Sequence, residues 1–203
     1  MESWSPLEIT AVVFGLLSVI FTIRQNIWCW ATGLVNVILY ILIFYRAALY
    51  SDVVLQVIYV PLQLYGWYHW VYGNRNGANP DLPVTRLTSF AACIWTAVAA
   101  NLIAIDGYIM HRFFNAALPY WDAAIAVLSL IAQYLLARKV LENWMIWIAV
   151  DILALGVYTA KGLYLTTGLY GVYLVLATFG LIAWLKSLHK QKAAARGFEV
   201  VTA

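Results

Sequence analysis

Three observations predict an all-α integral membrane fold: 65% of the residues are hydrophobic and 10% charged, long apolar runs are separated by short charged joints, and the second half of the chain echoes the first. Soluble domains run at roughly 45–50% apolar and about 25% charged residues. Seven spans of about 20 residues would take roughly 140 of the 203 residues. That leaves no room for a separate soluble catalytic domain, and 12 basic against 9 acidic residues give no basic stripe for nucleic acid. Cys29 and Cys93 lie in or beside apolar stretches without metal-ligand spacing and read as small hydrophobes.

Seven helices are expected, near 6–23, 28–47, 50–72, 87–105, 118–137, 143–160 and 163–185. The first run starts with Glu2 and Glu8 and ends at Arg24-Gln25-Asn26 without a small-residue cleavage site, so it reads as a retained helix and not a secretory signal. The joints at Arg24, Arg46, Arg138-Lys139 and Lys161 are short enough to turn each helix straight back on its predecessor. Residues 73–86, with their Gly, Asn and Pro, and 106–117 read as loops. The organisation is then one transmembrane domain over 1–186, with triplets at 6–72 and 118–185, a linking helix at 87–105 and a tail at 187–203.

Arg24, Arg75, Arg86, Arg138, Lys139, Lys186, Lys190, Lys192 and Arg196 fall on one side, and Arg46, Arg112 and Lys161 on the other. The positive-inside rule places the N-terminus outside and the C-terminus in the cytoplasm. The tail after Lys186 reads as a solvated end that sets this topology.

Sliding the chain by 114 residues superposes Arg24 on Arg138, Trp30 on Trp144, Leu49 on Leu163, Tyr50 on Tyr164, Leu55 on Leu169, Tyr59 on Tyr173, Leu62 on Leu176, Gly66 on Gly180 and Trp70 on Trp184. An odd linking helix leaves the two triplets pointing the same way, a 3+1+3 parallel repeat with a site expected where the repeats meet.

Polar groups inside these spans are the candidate functional residues. Asp151 sits at the middle of the sixth helix, where a carboxylate costs roughly 2.5–3.5 kcal/mol. Asn143, Trp147 and Tyr158 share its face. An internal hydrogen bond, pairing with a basic residue such as Lys161, or a neutral, protonated acid would offset that cost; so would meeting a cationic or hydroxyl-bearing solute in a wet cavity. On the third helix Gln56, Tyr59, Gln63, Trp67 and Trp70 recur at spacings of three and four. Asn36 on the second helix falls opposite Asp151 when the repeat is shifted by one further residue, and Asn101 and Gln133 are further intramembrane amides. Most Trp and Tyr suit interfacial belts, whereas Trp147, Tyr59, Tyr158 and Tyr173 lie deeper. A carboxylate with amides and deep rings suits a flat, positively charged, hydroxyl-bearing molecule. Phosphate-binding loops, HExxH and CxxC are absent from the sequence, so neither an enzyme, a cofactor nor a resident metal is expected.

The strings Trp30-Ala31-Thr32-Gly33-Leu34-Val35-Asn36-Val37, Tyr65-Gly66-Trp67-Tyr68-His69-Trp70, Pro119-Tyr120-Trp121-Asp122 and Glu142-Asn143-Trp144-Met145-Ile146-Trp147 resemble the PnuC family of vitamin transporters over essentially the whole chain. The resemblance implies a bacterial inner-membrane carrier built like full-length SWEET carriers and often trimeric. The family's usual substrate is nicotinamide riboside, a cationic nucleoside moved by facilitated diffusion and trapped by a cytoplasmic kinase. By position, Asn143, Trp144 and Trp147 match its ENWxxW motif, and Gln56 and Trp67 its third-helix signature. Some riboside-carrying branches have an amide where this chain has Asp151, which leaves thiamine open as the substrate.

Overall fold

The computed structural model describes residues 5–73, 82–114 and 118–202. They form seven helices: α1 (Pro6–Ile23), α2 (Trp28–Arg46), α3 (Tyr50–Tyr72), α4 (Ser89–Phe114), α5 (Pro119–Ala137), α6 (Asn143–Ala160) and α7 (Tyr164–Thr202). Six are long and apolar enough to cross a membrane. The exception is α3, which has the length at 23 residues but carries Asp52, Gln56, Gln63 and His69.

Two compact units emerge, Met1–Asp81 and Leu82–Ala203. In the first, α1 packs on α2 and α2 on α3. Its start is fixed by a capping box: Ser5 N–H donates to Glu8 Oε2 at 2.6 Å, Glu8 N–H donates to Ser5 Oγ at 3.2 Å, and Pro6 opens the helix. In the second unit, α4 packs on α5, α5 on α6 and α6 on α7. Ala99 of α4 meets Val127, Ile131 and Leu135 of α5 in an apolar cluster.

The short joints are the same device used four times. After α1, Gln25 N–H donates to Thr22 O and Asn26 N–H to Phe21 O, both at 2.9 Å. After α5, Lys139 N–H donates to Leu136 O and Val140 N–H to Leu135 O, again both at 2.9 Å. This is the Schellman pattern, which needs a left-handed residue, and Gln25 (φ 55°) and Lys139 (φ 56°) supply it. The joints after α2 and α6 repeat it with Ala48 (φ 56°) and Gly162 (φ 74°), and only Gly162 adopts that conformation without a Cβ penalty. Each hydrogen bond of the turns after α1 and α2 has a counterpart 114 residues further on.

The same spacing governs side-chain packing. Trp30 and Trp70 meet edge to face at 5.4 Å and 84°, Trp144 and Trp184 at 5.6 Å and 85°. Each pair closes over a glycine, Gly66 or Gly180, where a Cβ would overlap the first tryptophan's ring. Small residues let membrane helices approach closely, and here they admit a Trp.

Two boundaries differ from expectation. The linking helix, expected over 87–105, runs from Ser89 to Phe114. Asp106 does not end it, because the flanking residues are apolar and Gly107 is buried against the Tyr120 ring. The α7 helix continues to Thr202, so the expected tail is helical; 39 residues reach about 58 Å, well past a hydrocarbon core of about 30 Å. Residues 74–81 and 115–117, within the expected loops, lie outside the described residues.

Candidate substrate-binding site

Asp151 is 3% exposed on α6. The anticipated partner is engaged elsewhere: Lys161 Nζ donates to Asp122 Oδ1 at 2.7 Å and Oδ2 at 2.8 Å. The other ion pair joins Arg86 to Glu142, so among the described residues no basic side chain neutralises Asp151. Packing against α5 and α7 buries this part of the helix, with Val150 and Ala154 enclosed beside it. Two more polar side chains are buried one turn apart on α5, Ser129 and Gln133.

One turn before Asp151, Trp147 is half-buried. Two turns after it, Tyr158 stacks on Tyr170 at 5.2 Å and 26°, and Tyr170 meets Tyr173 edge to face at 6.1 Å. The structure therefore brings Tyr158 and Tyr173 together through a residue that the sequence reading passed over. The i, i+3 spacing of Tyr170 and Tyr173 was the signal available for it.

Asn143 and Trp144, at the start of α6, are enclosed within their own unit. Asn143 is fully buried, with Nδ2 donating to Val140 O at 2.6 Å and Oδ1 unpartnered. Trp144 is committed to Trp184 and Gly180, and its Nε1 is buried without an acceptor, as is that of Trp30.

In the first unit, Asn36 donates from Nδ2 to Ala11 O of α1 at 2.7 Å. Gln63 of α3 is buried, its amide set against Gly33 of α2 and close to Ser18 of α1, whose hydroxyl donates to Cys29 O at 2.8 Å. Gln56 and Tyr59 are half-buried, and Trp67 is 37% exposed. Because the joints fix the spacing at 114, the counterpart of Asp151 is Val37 and that of Asn36 is Val150. The one-residue shift that paired Asn36 with Asp151 turns a helix by about 100°, so the two do not occupy equivalent faces. Asn101 bonds within its own helix, to Ala97 O at 2.8 Å, and makes no interhelical link there.

An open groove of about 270 Å³ between α5 and α6 is lined by Leu118, Trp121, Ile152, Leu153, Gly156 and Val157. It is apolar and contains none of the candidate residues.

With the polar and aromatic residues placed on these helices, comparison with known proteins settles the family. The sequence model of the nicotinamide mononucleotide transporter family matches residues 5–186. The chain belongs to this family. A nicotinamide riboside transporter, PnuC, of Escherichia coli is 27% identical, the alignment covering 93% of this chain and 88% of the relative. The PnuC of Neisseria mucosa is 30% identical over 91% of this chain and 73% of its own. A riboflavin/roseoflavin transporter, RibM, of Streptomyces davaonensis is 25% identical over 89% and 84%. A crystal structure of the vitamin B3 transporter PnuC superposes with a TM-score of 0.73 at 26% identity, covering 91% of this chain and 82% of that one. The family assignment makes this a multi-pass membrane transporter.

Proposed function

We propose that this chain takes up nicotinamide riboside across a bacterial inner membrane by facilitated diffusion, with a cytoplasmic kinase trapping the product. The observation that carries the substrate reading is Asp151: a buried, membrane-embedded carboxylate without a basic partner among the described residues suits a solute that brings its own positive charge. The riboside's pyridinium ring supplies that charge and a flat face. Trp147, one turn from Asp151, stacks the ring, with Tyr158 and Tyr173 further aromatic candidates of the same unit, and on α3 the half-buried Gln56 and Tyr59 and the exposed Trp67 are the first unit's candidates. Asn36, Gln63, Asn143 and Trp144 hold those helices in position through the contacts described above.

In this reading the two triplets are oriented alike, as in SWEET carriers, the N-terminus lies outside and the tail lies in the cytoplasm. The 9 to 3 split of basic residues supports that orientation. The relative named for riboflavin favours a second reading, a different flat vitamin carried by the same helices. Thiamine, also a flat cation, fits the carboxylate equally well.

Competition against labelled riboside in proteoliposomes separates these readings. Unlabelled riboside competing in the micromolar range, with riboflavin and thiamine inert, supports the riboside; the reverse order defeats it. Equilibration down a gradient without added energy supports a passive carrier. Uphill uptake driven by an imposed pH gradient indicates proton symport, and binding without equilibration indicates a receptor.

A further inference from the structure

The joint between α5 and α6 carries a strap that the joint between α1 and α2 lacks among the described residues. Residues 82–87 lie across it. Thr85 pairs with Val140 as a short parallel bridge: Thr85 N–H donates to Lys139 O at 3.1 Å and Leu141 N–H to Thr85 O at 2.9 Å. Lys139 is 5% exposed and donates from Nζ to Leu82 O at 2.7 Å. Glu142 completes the strap, accepting from Arg86 Nε through Oε1 and from the Leu87 N–H through Oε2, both at 3.0 Å. In the first unit the position of Glu142 is held by Trp28, which is 61% exposed and whose N–H bonds only the neighbouring Asn26 side chain.

Glu142 immediately precedes the first residue of α6. The helix is otherwise gripped from the side by α5 and α7, contacts that resist separation better than rotation about its own axis. A carboxylate bonded in two directions at the end of a helix resists that rotation. Trp147 and Asp151 lie five and nine residues further on, about 7.5 and 13.5 Å along a rigid rod, so any turn at Glu142 reaches both undiminished.

We infer that Glu142 is a positioning residue for substrate binding: through the strap it sets the rotation of α6 and hence the aim of Trp147 and Asp151. The inference rests on the proposed transport function. It assigns a task to the Glu of the ENWxxW string that contact with substrate does not require.

The test is calorimetric binding of nicotinamide riboside to the purified full chain, with uptake kinetics alongside. Glu142→Ala leaves the Leu87 N–H and Arg86 without their acceptor, and the affinity is expected to fall about tenfold, ~1.4 kcal/mol, with the uptake KM rising and Vmax retained. Glu142→Gln keeps an oxygen for the Leu87 N–H, and its affinity is expected to stay within about threefold of the parent. If Glu142→Ala does not fold, Arg86→Ala decides, with an expected loss of about threefold, in the range of one exposed ion pair. A folded Glu142→Ala, or failing that Arg86→Ala, that binds as the parent does would overturn the inference. A parent that gives no heat with riboside, thiamine or riboflavin defeats the transport reading as well.

Discussion

Set side by side, the triplets α1–α3 and α5–α7 share a skeleton and differ in their chemistry. The shared part is backbone and rivets: matching Schellman turns with residues at φ 55° and 56°, and edge-to-face Trp pairs over Gly66 and Gly180. The difference lies at a handful of counterpart positions. Ser18, Gly33 and Gln63 converge in the first triplet, and their counterparts are Ala132, Trp147 and Ala177. A glycine facing a long amide stands where the second triplet has a large ring and two alanines, which changes what the helices present. Val37 becomes Asp151 and Trp28 becomes Glu142. The two triplets share what holds the helices together, and among the described residues the buried carboxylate and the strap belong to the second.

The skeleton is the first thing to break. Trp30→Ala and Trp144→Ala should each destabilise the detergent-solubilised protein by about 3–5 kcal/mol, as removal of a buried Trp does, seen as similar drops in melting temperature. Markedly unequal drops would show that the two rivets are not equivalent. Next come Gly66→Ala and Gly180→Ala, where the added Cβ meets a ring held by its partner, at about 1–3 kcal/mol each. Gly33→Ala sharpens the contrast: its Cβ meets the flexible end of Gln63, 2.6 Å away, so the loss should stay below about 1.5 kcal/mol, and a loss equal to that of Gly66→Ala would contradict the reading. The smallest effect is expected for Lys161→Met. Its ion pair with Asp122 is partly exposed, and melting should change by about 0–1 kcal/mol with riboside affinity unaltered. A large loss of affinity would show that the Lys161–Asp122 pair itself supports substrate binding.

Much of this was legible in the sequence because hydropathy and turn chemistry act locally. The ends of α1, α3 and α6 fall where the apolar runs stop, and the 114-residue spacing visible in Trp30, Gly66 and Trp70 reappears in the hydrogen bonds of the turns. Asp106 misled because a lone carboxylate reads as a helix end, whereas its neighbour Gly107 lets the helix continue by packing on Tyr120. The strap was not legible, since Glu142 and Arg86 are 56 residues apart and no local pattern joins them. Nor could spacing alone tell that Trp144 faces Trp184 while Trp147, three residues on, does not share its burial.

The claim on which the rest depends is that Asp151 answers the charge of the solute, and Asp151→Asn in proteoliposomes tests it most directly. Uptake is measured for nicotinamide riboside and for its reduced, uncharged form, which has nearly the same shape. The account predicts that half-maximal uptake of the cation requires about tenfold more substrate in the variant, while the neutral form shifts by less than about twofold, a difference near 1.4 kcal/mol. Equal losses for both forms, or none for either, would contradict it.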